Sequence, residues 1–156
     1  MPDMLVNLYA LPEKRGGRGR YAEKGIRIIR AMTPNKRRVT DYILRTFGEG
    51  WASECETAFC HFPVSCFIAV DSENEIVGFA CYDATMKGYF GPTGVSESAR
   101  HLGIGAALLD ECLVSMRNEG YGYAVIGGAG PTDFYKKACG AVEIENCIPN
   151  IYKNLI

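Results

Sequence analysis

The stretch Gly94-Val-Ser-Glu-Ser-Ala-Arg100-His-Leu-Gly103-Ile-Gly105-Ala-Ala-Leu-Leu109 decides how this chain folds. It reads as the end of a strand, a short glycine-bearing loop and the start of a helix. Arg100, Gly103 and Gly105 stand at the spacing Arg-x-x-Gly-x-Gly. Glycines at such a junction let a ligand come close to the backbone. The first turn of the helix has amide N–H groups with no partner inside the helix. Those amides and the helix dipole suit an anion, typically a phosphate. The segment therefore suits a phosphorylated cofactor, and by its glycines alone it also describes a plain tight turn into a core helix.

Two common phosphate-binding motifs do not fit. A dinucleotide fingerprint needs a third glycine, and Leu108 stands there; a P-loop needs Gly-Lys-Ser/Thr, which is absent. The whole pattern is Val95-x-x-x-x-Arg100-x-x-Gly103-Ile104-Gly105-x-x-Leu108-Leu109. It resembles the acetyl-coenzyme A signature of the GNAT superfamily of N-acetyltransferases. In that family the strand backbone pairs with the pantetheine arm and the loop amides hold the pyrophosphate. By that resemblance Thr93, Gly94 and Val95 would face pantetheine. Arg100, His101, Leu102, Gly103, Ile104, Gly105 and Ala106 would line the pyrophosphate, mainly through backbone N–H groups.

The second half of the resemblance follows the apolar stretch Tyr123–Ile126. Beyond it come Gly127-Gly-Ala-Gly-Pro131 and then Thr132-Asp-Phe-Tyr-Lys-Lys-Ala-Cys-Gly140-Ala141. Phe134, Tyr135 and Lys137 match the Phe-Tyr-x-Lys helix often found in the family. Gly140 arrives one residue later than the usual spacing, and Ala141 replaces an aromatic. Gly128 and Ala129 stand where an asparagine is often seen. The resemblance covers residues 26–156 and implies several roles. Tyr135 would be the general acid for the coenzyme A sulfur, with Phe134 and Lys137 also at the cofactor. Its unperturbed pKa of about 10 keeps it protonated at neutral pH. Trp51, Glu54, Tyr82, Asp83 and Phe90 would border the acceptor, with Glu54, Glu56 and Asp83 as carboxylates available for a general base.

Composition sets the frame. The chain has 156 residues, 47% of them hydrophobic, enough for one sizeable core. It contains no apolar run of membrane-spanning length and no apolar leader followed by a cleavage site. Seven cysteines, an odd number without Cys-x-x-Cys, favour a reducing compartment, so a cytoplasmic location is expected. Cys55, Cys60, His61 and Cys66 are close in sequence, but their spacing is not a usual zinc pattern. They are read as free thiols acting as small hydrophobes, and no metal is expected.

Charge is uneven. Residues 1–40 carry ten Lys/Arg against three Asp/Glu, whereas 41–156 carry seven against fifteen. The basic run Lys14-Arg-Gly-Gly-Arg-Gly-Arg20 is the one feature that suits nucleic acid; the simpler reading is a solvated, flexible lead-in. Residues 1–25 are therefore set apart as a basic segment, and 26–156 as a single acetyltransferase-like domain. The acidic remainder favours a cationic acceptor such as an amine.

The element pattern runs as follows. Met4–Ala10 is apolar without clear period and stays undecided. Ile26–Met32 is a strand, and Thr33 with Pro34 opens a helix toward Phe47. Residues 48–61 hold a second helix. Ser65–Asp71 and Glu75–Asp83 form a hairpin, and Tyr89–Val95 is a strand interrupted by Gly91, Pro92 and Gly94. Gly103–Asn118 is a helix, Tyr121–Ile126 a strand and Thr132–Cys139 a helix. Ala141–Glu145 and Ile151–Leu155 are late strands, the last able to pair with a second copy in a homodimer. The order β-α-α-β-β-β-α-β-α-β-β is an α/β (α+β) arrangement. It matches the mixed, mostly antiparallel GNAT-like sheet with helices on both faces that the resemblance implies.

Taken together, the sequence is read as an N-acetyltransferase that moves an acetyl group from acetyl-coenzyme A to a primary amine of a small molecule or peptide. Two other classes stay open: a non-catalytic acyl-coenzyme A sensor on the same fold, and a nucleic-acid-binding protein acting through the basic N-terminus.

Overall fold

The computed structural model describes residues 1–12 and 20–156. Seven strands form one sheet, β1 Met4–Asn7, β2 Arg27–Arg30, β3 Cys66–Val70, β4 Ile76–Tyr82, β5 Tyr89–Val95, β6 Tyr123–Ile126 and β7 Val142–Glu143. Their spatial order is β2-β3-β4-β5-β6-β1-β7. All neighbours run antiparallel except β5 and β6, which are parallel. Helices α2 (Lys36–Phe47) and α3 (Glu49–Ala58) cover one face of the sheet. Helices α4 (Ile104–Asn118) and α5 (Thr132–Cys139) cover the other, and the short α1 spans Arg20–Glu23.

The pattern of each element explains its place. All five residues of β3 are buried, as an inner strand covered on both faces requires. The hairpin after it is closed by Asp71, whose Oδ1 accepts the N–H groups of Glu73 at 2.9 Å and Glu75 at 2.8 Å. In α4 the residues Ile104, Leu108, Leu109, Cys112, Leu113 and Met116 form one buried stripe at helical spacing. They pack with Met4, Val6, Phe90 and Ala124 into one core cluster. The second cluster, on the other face, joins Val39 and Ile43 of α2 to Cys55, Ile68, Phe79 and Cys81.

Several boundaries differ from expectation. Met4–Ala10, undecided in sequence, supplies β1, an inner strand whose Met4 and Val6 are fully buried. The sheet thus begins ahead of residue 26, and residues 1–12 are not a separate lead-in. Most of the basic run Lys14–Arg20 lies outside the described residues. Helix α2 starts at Lys36, because Thr33–Asn35 winds first into a 3₁₀ turn and Thr33 caps nothing. Helix α3 ends at Ala58 rather than at residue 61.

The late strands change most. β7 keeps only Val142–Glu143: Gly140 in the left-handed region and the Ala141 N–H bond to Tyr135 O finish α5 just before it. Ile151–Leu155 is not a strand. Asn150 accepts the Tyr152 N–H at 3.1 Å and starts a 3₁₀ turn over Ile151–Asn154, so this segment offers no edge to a partner. Among the described residues, no helix is long and apolar enough to cross a membrane.

Candidate active site

Strands β5 and β6 pair only at Tyr89↔Val125 and Phe90↔Ile126. Beyond Phe90 they part, while β5 stays bonded to β4 through Thr93, Gly94 and Val95. The register slips between Ala80 and Tyr82, which is where Gly91 and Pro92 interrupt the strand. The outer edge of Gly91–Val95 therefore faces a V-shaped opening in the middle of the sheet. Its backbone groups suit an extended, amide-bearing ligand.

The loop Ser96–Gly103 closes the wide end of that V. His101 (φ 64°) and Gly103 (φ 85°) both take left-handed backbone, which turns the chain sharply into α4. The first helical bond runs from Ala107 N–H to Gly103 O, so the amides of Ile104, Gly105 and Ala106 have no partner within the helix. The loop is held from beside. Tyr21 N–H donates to Leu102 O at 3.1 Å and Arg20 Nη2 to His101 O at 2.6 Å. Ser96 Oγ and the Tyr42 hydroxyl are hydrogen-bonded at 2.6 Å.

Side chains of the expected cofactor residues divide. Arg100 and His101 are exposed, while Leu102 is half-buried. Ile104 is buried in the core and offers only its backbone. The Thr93 hydroxyl is tied to Phe79 O at 3.1 Å. A Cβ on Gly105 would meet only Val95 at 3.9 Å, so the protein itself leaves that position room. Gly94 is different: a Cβ there would lie 2.6 Å from the Phe47 ring. Its lack of a side chain serves packing against α2. Phe134, at the start of α5, is exposed and meets the Tyr135 ring edge-on at 5.1 Å. Lys137 lies on the exposed side of the same helix.

Tyr135 is buried and packs edge-to-face on Phe90, ring centroids 6.3 Å apart. It thus sits at the apex where β5 and β6 separate. Burial, with a smaller contribution from Cys139, pushes its hydroxyl up to about 12. The group keeps its proton throughout the physiological range.

A cavity of about 740 Å³ opens on the opposite face of the same strands. Its walls are Asp3, Glu54, Thr85, Met86, Tyr89 and the C-terminal segment Pro149–Leu155. Glu54 Oε1 accepts the Thr85 hydroxyl at 2.6 Å. Asp3 Oδ1 accepts Gly128 N–H at 2.8 Å and the Asn150 side-chain amide at 3.2 Å. Burial raises Tyr89 and Tyr152, and the charge of Glu54 adds to the effect on Tyr152. Tyr152 lies so close over Gly127 and Gly128 that a Cβ on either would approach it to 3.1–3.2 Å. The cavity and the apex meet in β5. Tyr89 lines the cavity, while the next residue, Phe90, touches Tyr135 on the other face.

Of the expected acceptor residues only Glu54 lines this cavity. Tyr82 is fully buried toward α4, its hydroxyl 3.0 Å from Arg30 Nη1. Phe90 belongs to the core around α4 and α5. Asp83 shapes the β4–β5 loop, accepting Gly88 N–H at 2.7 Å and the Tyr121 hydroxyl at 2.8 Å. Trp51 is partly exposed and meets Phe47 at a tilt and Phe79 edge-on, with centroids at 5.4 and 6.2 Å. Asp3, Thr85, Tyr89 and Tyr152 were not singled out by sequence. The one signal available was strand alternation, which places Tyr89 opposite to Phe90.

The cysteines also regroup. Cys60 and His61 are exposed, and the His61 ring bonds Asp83 O at 2.9 Å. Cys55 and Cys66 instead meet Cys81 in the interior.

The model of the acetyltransferase (GNAT) family matches residues 36–141. The chain belongs to that family. No curated protein matches it. Among solved structures it is similar to the glucosamine N-acetyltransferase region of a fungal multi-domain GH3 β-N-acetylglucosaminidase, with a TM-score of 0.73, 14% identity and 92% of this chain covered. It is also similar to a GCN5-related N-acetyltransferase from Sphaerobacter thermophilus, with a TM-score of 0.70, 21% identity and again 92% covered. The chain spans 19% of the first of those proteins and 48% of the second.

Proposed function

We propose that this protein is an N-acetyltransferase that uses acetyl-coenzyme A to acetylate a primary amine of a small molecule or peptide. The observation that carries the proposal is the end of β5–β6 pairing after Phe90, followed along Gly91–Val95 by a loop after which the amides of Ile104, Gly105 and Ala106 have no partner within their helix. An extended amide chain fits along Gly91–Val95, and a pyrophosphate fits the amides of Ile104, Gly105 and Ala106. The room at Gly105 is consistent with a ligand at that backbone. When bound, acetyl-coenzyme A supplies a thioester carbonyl open to attack by an amine.

The residues of this chain do the rest. The loop amides and the β5 edge hold one reactant against the apex, and the cavity holds the other. Such placement contributes about 7–11 kcal/mol of the barrier reduction in favourable cases. Glu54 in the cavity wall attracts a cationic amine and accepts its proton, with Thr85 fixing the carboxylate. Tyr135 retains its hydroxyl proton and donates it to the departing sulfur. Seven free thiols support a cytoplasmic setting.

The test is a thermal shift with acetyl-coenzyme A, coenzyme A, NAD and ATP, run beside Gly103→Glu/Gly105→Glu. A ligand that binds only the folded protein raises Tm. Selective stabilisation by the two coenzyme A forms, lost in the folded double variant, is expected and is followed by an amine screen. A chain that responds to neither form is not an acetyl-coenzyme A enzyme.

A further inference from the structure

Three thiols that take no part in the proposed chemistry converge between the sheet and α3. Cys66 on β3 and Cys81 on β4 are direct cross-strand partners, and Cys55 reaches them from α3. The three sulfurs all lie within 4.8 Å of one another, with Cys55 and Cys66 at 3.9 Å. None of the three residues has solvent exposure. Around a central atom with bonds of about 2.3 Å, three coplanar sulfurs stand about 4 Å apart, and closer if the centre is pyramidal. Small side-chain rotations bring the trio to that spacing.

The surroundings select the kind of centre. Among the described residues no fourth His, Cys, Asp or Glu joins the group, so tetrahedral zinc lacks a protein ligand. Three thiolates also carry three negative charges. A monovalent ion would leave two of them uncompensated and a divalent ion one, in an interior formed by Val39, Ile43, Ile68 and Phe79. Uncompensated charge in such a place is strongly disfavoured. A trivalent soft centre gives a neutral complex.

We infer that Cys55, Cys66 and Cys81 form a binding site for a trivalent thiophilic centre, with arsenic(III) as its accessible representative. Binding of arsenous acid forms three As–S bonds. Three S–H and three As–O bonds break, three waters leave, and arsenic stays trivalent, so no oxidant or reductant is needed. Entry requires transient opening of α3, whose buried contacts are the small side chains Ala52, Cys55 and Ala58.

The experiment incubates the reduced full chain with arsenite without oxygen, then reads the intact mass and arsenic-edge X-ray absorption. The expected result is one arsenic per chain, a mass gain of one arsenic less three hydrogens, and a shell of three sulfurs without oxygen. Cys60→Ala and Cys147→Ala are expected to bind as well as the natural chain. Cys55→Ala, Cys66→Ala and Cys81→Ala are each expected to lose the three-sulfur shell. Cys55→Ala places alanine in a helix, where it is well tolerated, so it decides the matter should the strand variants misfold. No uptake, a shell that keeps oxygen, or full uptake by folded Cys55→Ala overturns the assignment. Uptake of zinc in place of arsenic overturns the charge argument.

Discussion

The loop Ser96–Gly103 with the first turn of α4, and the cavity beneath Pro149–Leu155, lie at the two ends of one proposed reaction path, yet they are built in opposite ways. The loop is a single continuous stretch and presents mainly backbone amides. The cavity gathers side chains from Asp3 just before β1, from α3, the β4–β5 loop, β5 and the C-terminal segment. Backbone recognition needs only a conformation, and glycine at a positive φ writes that conformation into the sequence. Side-chain recognition needs a particular fold to bring distant residues together. On the proposed function, the loop is thus the cofactor's end of that path and the cavity the acceptor's.

The strongest way to break this division is at their meeting point. Tyr135 touches Phe90 at the apex and belongs to neither region alone. General acid catalysis contributes about 10²–10⁴-fold, so Tyr135→Phe is expected to lower kcat by at least about 100-fold. Its coenzyme A affinity in the thermal-shift assay should stay near that of the natural chain. Burial holds the hydroxyl at about 12, above its ordinary value. A group raised in this way is fully protonated below its ordinary pKa and loses its proton only as pH climbs through the raised one. The pH–rate profile therefore gains no alkaline limb from Tyr135 below roughly pH 11. Equal kcat in the two proteins would remove Tyr135 from the chemistry and leave it as a packing residue.

A smaller effect tests the cavity itself. Glu54→Gln removes the charge but keeps the shape and an acceptor for Thr85. Hydrogen bonds to charged groups are worth about 1.5–3 kcal/mol, so KM for a cationic amine should rise about tenfold or more, and kcat should fall as well because the proposed proton acceptor is gone. The Kd for acetyl-coenzyme A should not move, since Glu54 lines the cavity and bonds Thr85 there. A parallel loss of cofactor affinity would mean that loop and cavity are one unit.

This contrast also explains what was legible in sequence. Arg100, Gly103 and Gly105 announced the loop because local spacing fixes local backbone. The buried stripe of α4 and the Asp71 hairpin were readable for the same reason. β1 was not, because Met4–Asn7 becomes a strand through pairing with β6 and β7, far away in the chain. Ile151–Leu155 looked like a strand from its apolar residues, but the Asn150 cap turns it into a 3₁₀ turn. Asp3 and Tyr152 reach the cavity through that folding back of both chain ends. Tyr82 and Phe90 were expected at the acceptor from the resemblance, and the structure buries both in the core beside α4 and α5.

The finest test separates packing from binding within the loop's own lead-in. Sequence assigns Gly94 to the close approach of a cofactor, whereas the structure sets the Phe47 ring where its Cβ would be, at 2.6 Å. Overpacking of this kind costs about 1–3 kcal/mol. Gly94→Ala should therefore lower Tm by a few degrees per kcal/mol, roughly 2–4 °C each for a chain of this size. Kd for coenzyme A should change little, because the backbone edge that faces the opening stays intact. In a Phe47→Leu background the same alanine should cost less, since the ring that it strikes is gone. That coupling in a double-mutant cycle belongs to residues in contact and not to distant sites. If Gly94→Ala instead keeps its Tm and weakens coenzyme A binding, Gly94 belongs with the loop. Recognition by bare backbone would then extend back along β5, and the division between the two regions would move with it.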